Sequence, residues 1–231
     1  MAKRRKLGNP LALTVMVLLA ERSMHPYEIA QTLRRRGKQH SVKINFGSLY
    51  TVVQNLEKHG YVAVAEVQRQ GNRPERTLYG ITDAGRAEML DWLSDLIAVP
   101  AEEYPVIETA LSLLPVLPPG EVVELLETRA AALAAGVAAL KGVLGRLGER
   151  LPRIFVIETE YQLRMQEAQL EWISAFRDEL VAGTVSGIEE WKSFHETGEI
   201  PSDWQDLDEQ ESVPDPGKES GRTPGEDPEK K

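Results

Sequence analysis

The apolar pattern of this chain changes period sharply between Asn45 and Ile81, and that switch constrains the fold more than any other feature. Leu49, Val52, Val53 and Leu56 stand at i, i+3, i+4 and i+7, the stripe of one narrow helix face. Asn45 suits the start of that helix and Gly60 its end. An amide side chain can accept a free backbone N–H, and glycine takes the left-handed conformation without strain. Directly after it, Tyr61–Val67 is short and rich in β-branched residues, which predicts a strand. Gly71, Asn72 and Pro74 predict a turn, and Thr77–Ile81 predicts a returning strand.

The flanking segments complete a unit. Asn9 and Pro10 open a first helix, 10–21, apolar on nearly every side and therefore buried. Lys3–Lys6 ahead of that apolar run imitates a secretion signal. The run is only ten residues and lacks a small-residue cleavage site, so a basic arm before a buried helix is the better reading. Pro26 opens a second helix to about Arg36, stopped by Gly37. Thr82 caps a helix that runs to about Ala98. Helix, helix, helix, strand, turn, strand, helix is a winged helix-turn-helix layout over residues 1–98.

Residues 99–196 read as a helical domain. Prolines from Pro100 to Pro119 punctuate it around an apolar helical stretch at Val106–Leu114. A long helix is expected over Glu121–Leu147. On it Leu126, Ala130, Leu133, Val137, Leu140, Leu144 and Leu147 alternate by four and three, a coiled-coil-like seam. Pro152 breaks it. A second long helix, about Arg153 to Val181, places Ile157, Tyr161, Met165, Trp172 and Phe176 on one side. The pair predicts an antiparallel hairpin whose seam needs a partner. The dimerisation candidates are Leu126, Leu133, Val137, Leu140, Leu144, Leu147, Ile157, Tyr161, Trp172 and Phe176. Residues 197–231 hold 11 acidic and 4 basic side chains among prolines, which predicts a disordered acidic tail. The fold class is mainly α with a small two-stranded β wing.

Charge decides what such a layout is for. The net charge is -9, which taken alone argues against nucleic acid. Residues 1–86, however, hold 15 basic and 6 acidic side chains, and the remainder holds 12 and 30. A basic front domain suits a phosphate backbone. At about 100° per residue, the helix face opposite Leu49 and Leu56 carries Gly47, Thr51, Gln54 and Lys58, flanked by Ser48, Tyr50 and Asn55. Short hydrogen-bonding side chains suit base edges in a major groove, and a tyrosine suits a phosphate. The same set also describes an ordinary solvated helix face. Arg69, Arg73 and Arg76 in the turn region, with Asn72 at its tip, favour the DNA reading, since a wing can reach phosphates or the minor groove. Lys43 adds to the same basic surface.

Here a resemblance becomes specific. His25-Pro26-Tyr27-Glu28-Ile29, Gly47-Ser48-Leu49-Tyr50, Leu56–Val62 and Arg76–Arg86, in that order and spacing, resemble the PadR family of transcriptional regulators over about Leu11 to Leu96. One departure is Thr51, where the family often has Pro. The resemblance implies a cytoplasmic homodimeric repressor that reads a palindromic operator in double-stranded DNA. Its C-terminal helices would pair the subunits, and some relatives release DNA when a small aromatic effector binds. The candidate DNA contacts are Tyr27, Lys43, Gly47, Ser48, Tyr50, Thr51, Gln54, Asn55, Lys58, Arg69, Asn72, Arg73 and Arg76. Trp92 is the candidate for an effector contact, although tryptophans more often serve as core or dimer contacts.

Other functions fit less well. There is no Cys, and the four His have no ligand spacing, so no metal or cofactor is expected. No phosphate-cradling glycine loop or nucleophile elbow is present, so no enzyme is expected. No membrane segment is expected. The alternative from another class is a helical interaction protein whose basic N-terminal domain binds acidic protein or RNA.

Overall fold

The computed structural model describes residues 8–38, 42, 46–68, 76–201 and 204. The chain divides into two compact units, Met1–Pro105 and Val106–Lys231.

The first unit is built from α1 (Pro10–Glu21), α2 (Pro26–Arg35), α3 (Phe46–Lys58), β1 (Val62–Gln68), β2 (Arg76–Ile81) and α4 (Asp83–Ala98). Asn9 caps α1 by accepting the Leu11 N–H at 3.0 Å. All round it, α1 is apolar: Leu11, Ala12, Leu13, Val15, Met16, Leu18 and Leu19 are buried. It packs against α3, α4 and β2 and is the centre of the unit. Ile29, Ala30 and Leu33 from α2, Leu49, Val53 and Leu56 from α3, and Trp92 from α4 close the same core.

Helix α3 ends as its sequence predicts. The Tyr61 N–H donates to the Leu56 carbonyl and the Gly60 N–H to the Glu57 carbonyl, each at 2.9 Å. Gly60 has φ +73, so the stop is a left-handed glycine closure that leads directly into β1. The two strands pair antiparallel from Val62 opposite Ile81 to Gln68 opposite Arg76. Val64 faces Tyr79 and Glu66 faces Leu78, so Ala65 is an extra residue, a bulge that increases the local twist. The root of the hairpin is pinned to the connection between α1 and α2. Met24 and Tyr79 exchange both backbone hydrogen bonds at 3.0 Å.

The second unit contains α5 (Val106–Ser112), a 3-10 turn at Leu114–Val116, α6 (Pro119–Gly148), α7 (Ile157–Ala182) and α8 (Ile188–Thr197). Helices α6 and α7 pack as a hairpin. The seam of α6 faces α7 of the same chain. Leu126, Ala130 and Val137 are buried, and Leu133, Leu140, Leu144 and Leu147 are half-buried. The seam was expected to need a partner, and part of it is covered within the chain: the stripe lies on the nearest apolar helix, which is reached through the eight residues 149–156. By length and composition α6 is apolar enough to cross a membrane. Seven alanines between Ala130 and Ala139 supply much of that apolarity.

Two further expectations change. The second long helix starts at Ile157 rather than Arg153, because Arg153–Phe155 forms a 3-10 turn after Pro152. Helix α8 was not expected at all. It is short and framed by Gly187 at φ +81 and Gly198 at φ +76, and its apolar face is only Ile188, Trp191 and Phe194. Ile188 and Trp191 complete a core with Val122, Leu126, Ile173 and Leu180.

Candidate nucleic-acid interface

Helix α3 is held by one face only. Leu49 and Leu56 have no exposed surface, and Val52 and Val53 are also buried. That anchor turns Gly47, Tyr50, Thr51, Gln54, Asn55 and Lys58 outward, and all six are exposed. Ser48 is half-buried at the edge. Glutamine, asparagine and threonine on one rigid helix face can present donors and acceptors to base edges, while lysine can meet a phosphate.

Tyr27 on the first turn of α2 is also exposed and stands on the same side as Tyr50. Between them lies His25, which the motif contains but which the sequence reading did not place among the contacts. His25 is the N-cap of α2: its Nδ1 accepts the Tyr27 N–H at 3.2 Å. An imidazole that accepts on Nδ1 carries its proton on Nε2. The Tyr50 ring meets the His25 ring edge-on, with centroids 6.2 Å apart. Burial, and then the positive charge of Arg76, hold the His25 pKa below the usual histidine range, with Glu28 acting the other way. The ring is therefore a neutral cap that positions two tyrosines.

A concave surface of about 700 Å³ joins these groups to the hairpin. His25, Tyr27 and Gln31 from the α2 side, Tyr50 from α3, and Gln68 and Arg76 from the hairpin line it. A smaller cleft of about 140 Å³ places Gln54 beside Thr77 and Tyr79. Helix α3 and the hairpin root thus form one surface rather than two separate patches.

Not every basic residue contributes to that surface. Arg36 forks onto Glu21 at 2.6 and 2.7 Å, which neutralises it and fastens α2 to α1. The same pair lowers the Glu21 pKa, chiefly through the hydrogen bond. Lys43, Arg69, Asn72 and Arg73 lie outside the described residues. Trp92 is 4% exposed and belongs to the first core, so it presents no open face to an effector. Of the dimerisation candidates on α7, Ile157, Tyr161 and Trp172 are exposed and Phe176 is half-buried, stacked on Trp172 at 5.3 Å.

Residues 15–91 match the model of the transcriptional regulator PadR-like family. The chain carries a PadR-like domain. The match runs from within α1 to within α4, takes in α2, α3 and the hairpin, and stops short of the second unit. Solved structures share the fold. Bacillus subtilis PadR in complex with operator DNA aligns with a TM-score of 0.61 at 17% identity, over 74% of this chain and 99% of that one. The same protein in complex with p-coumaric acid gives 0.61 at 16% identity, over 74% and 98%. The Vibrio cholerae virulence activator AphA gives 0.56 at 16% identity, over 74% and 98%. No curated protein sequence matches the chain. The fold of the PadR-like domain is a winged helix, with α3 as the second helix of its helix-turn-helix and β1–β2 as the wing.

Proposed function

We propose that the chain is a sequence-specific DNA-binding transcriptional regulator of the PadR type, a homodimer that represses by occupying a palindromic operator. The observation that carries this reading is the division of α3: four apolar residues buried on one side, and Gly47, Tyr50, Thr51, Gln54, Asn55 and Lys58 exposed on the other, beside the wing. In this reading α3 enters the major groove, Gln54, Asn55 and Thr51 meet base edges, and Tyr27, Tyr50 and Lys58 meet phosphates. Arg76 stands at the wing root, and the wing residues Arg69, Asn72 and Arg73 extend the contact to the backbone or minor groove. The Bacillus protein of the same fold was crystallised on operator DNA, which supports the DNA partner.

The exposed residues of α7 support the dimer. Ile157, Tyr161, Met165 and Trp172 stay 45–68% exposed although they lie along one side of a long helix. A second copy burying that stripe would bring two α3 helices into one assembly, as a palindromic site with half-sites about 34 Å apart requires. In this reading a small-molecule effector relieves DNA binding; the Bacillus protein of the same fold was crystallised with p-coumaric acid, which supports a small-molecule partner.

The test is selection by the full chain from a random duplex library. The reading expects enriched sequences with two-fold symmetry and half-sites about 10 base pairs apart, or a multiple of that. Retention of all duplexes and RNA alike would favour the helical interaction protein instead.

A further inference from the structure

Between the 3-10 turn at Leu114–Val116 and α8 lies a cavity of about 910 Å³. Val116, Trp191, Phe194, His195, Ile200 and Trp204 form its walls. The volume lies within the range of pockets that enclose a small organic ligand, about 300–1,000 Å³. None of this surface belongs to the DNA-binding side, which lies in the first unit.

The walls are fixed by their own hydrogen bonds. Trp191 is 6% exposed, and its indole N–H donates to the Leu117 carbonyl at 2.9 Å. That donor is already used, so Trp191 offers a ligand its ring and little else. His195 Nε2 lies 2.9 Å from the Pro115 carbonyl oxygen. A carbonyl can only accept, so Nε2 carries the proton and Nδ1 is the acceptor of the neutral ring. Phe194 packs on Trp204 with centroids 5.6 Å apart and edge-on to His195 at 5.0 Å. Three aromatic side chains therefore present π surface to one space, an arrangement that favours flat rings.

Charge narrows the class. Among the described residues, no Lys, Arg, Asp or Glu lines the cavity. A carboxylate held against these apolar and aromatic walls would give up part of its hydration and find no counter-charge among the described residues. The geometry points to a binding site for a small uncharged aromatic molecule, one able to donate a single hydrogen bond, held by Phe194 and Trp204 with His195 as its acceptor. This selectivity differs from what an aromatic acid such as p-coumaric acid would need.

The test is calorimetric titration of the full chain, without DNA, at neutral pH, with 2-naphthol and with 2-naphthoate, which share a ring system and differ in charge. Saturable binding of 2-naphthol at one site per chain is expected, with 2-naphthoate weaker by about tenfold or more because its charge is unpaired there. Phe194→Ala should weaken 2-naphthol by a similar factor. Should that variant melt early, Val116→Trp serves instead: Val116 is 73% exposed at the rim, and the added ring would narrow the opening and weaken binding. No saturable binding, equal affinity for the two probes, or 2-naphthol binding unchanged in Val116→Trp would overturn the assignment. Because no DNA is present, none of these outcomes bears on the DNA-binding reading.

Discussion

The backbone of Gly85 passes so close to Tyr61 that a methyl group on it would lie 2.0 Å from the Tyr61 carbonyl oxygen. Gly85 is in the first turn of α4, and Tyr61 is the residue between α3 and the wing. The two are drawn together by Thr82, whose hydroxyl donates to the Gly60 carbonyl at 2.6 Å while its oxygen accepts the Gly85 N–H at 3.0 Å. One corner thus sets the angle between recognition helix, wing and the next helix. Since the blocking atom is backbone, a side chain there cannot be accommodated by a rotamer change. Gly85→Ala should lower stability by roughly 1–3 kcal/mol through overpacking. Thermal unfolding followed by circular dichroism measures it, and a melting temperature equal to that of the wild type would refute the close approach.

Lys58 closes the exposed face of α3 in the last turn of the helix, where its ammonium suits a phosphate. Lys58→Ala should weaken a selected site and random duplex by similar factors. It should also reduce the slope of log affinity against log salt by about one. Affinities measured across a salt series show both effects. A loss confined to the selected site would move Lys58 from the backbone to the bases.

His25 makes the domain sensitive to acid. Its folded pKa lies below the ordinary value of 6.5, for reasons of burial and of Arg76. When pH falls below 6.5, the unfolded chain takes up the proton first, so the folded state loses stability until its own lower pKa is passed. Protonation also turns the Nδ1 acceptor into a donor and breaks the cap on Tyr27. His25→Asn keeps an N-cap but cannot titrate. Chemical denaturation at several pH values should show a shallower acid loss in His25→Asn than in the wild type. Parallel curves would mean that other groups carry the acid loss.

Residues on the two sides of the helical hairpin should respond differently to substitution. Leu126 is 5% exposed in the core between α6 and α7, so Leu126→Ala should cost about 2–5 kcal/mol. Trp172 is 51% exposed, so Trp172→Glu should leave helix content intact and shift the sedimenting species from dimer to monomer. A Trp172→Glu protein that remains dimeric would place the dimer contact on another face.

The N-terminal unit was legible because its signals are local. The caps at Asn9 and Thr82, the glycine stop at Gly60 and the change of period after Leu56 each act within a few residues of chain. The pairing of α6 with α7 was legible only in part. A heptad stripe says that a helix must be covered, but not whether the cover is its own neighbour or a second copy, and Leu126 and Val137 turn out to be covered from within. Helix α8 escaped because neither a Pro nor a side-chain cap opens it, unlike α2, and only Ile188 and Trp191 of its ten residues are buried. Trp191 is read as core only once Leu117, 74 residues away in sequence, is known to accept its N–H. His25 was visible as part of a motif, but its capping role depends on the orientation of a ring, which spacing does not encode.

In the proposed function, the exposed face of α3 reads DNA sequence. That is tested most directly by the affinities of the wild type and of Gln54→Ala for a selected duplex and for a scrambled one, at the same near-physiological salt. The wild type should prefer the selected duplex by roughly 10³-fold or more. Gln54→Ala should lose about 1–3 kcal/mol on the selected duplex and little on the scrambled one. Equal affinity of the wild type for both duplexes, or equal losses on both in the variant, would contradict the account.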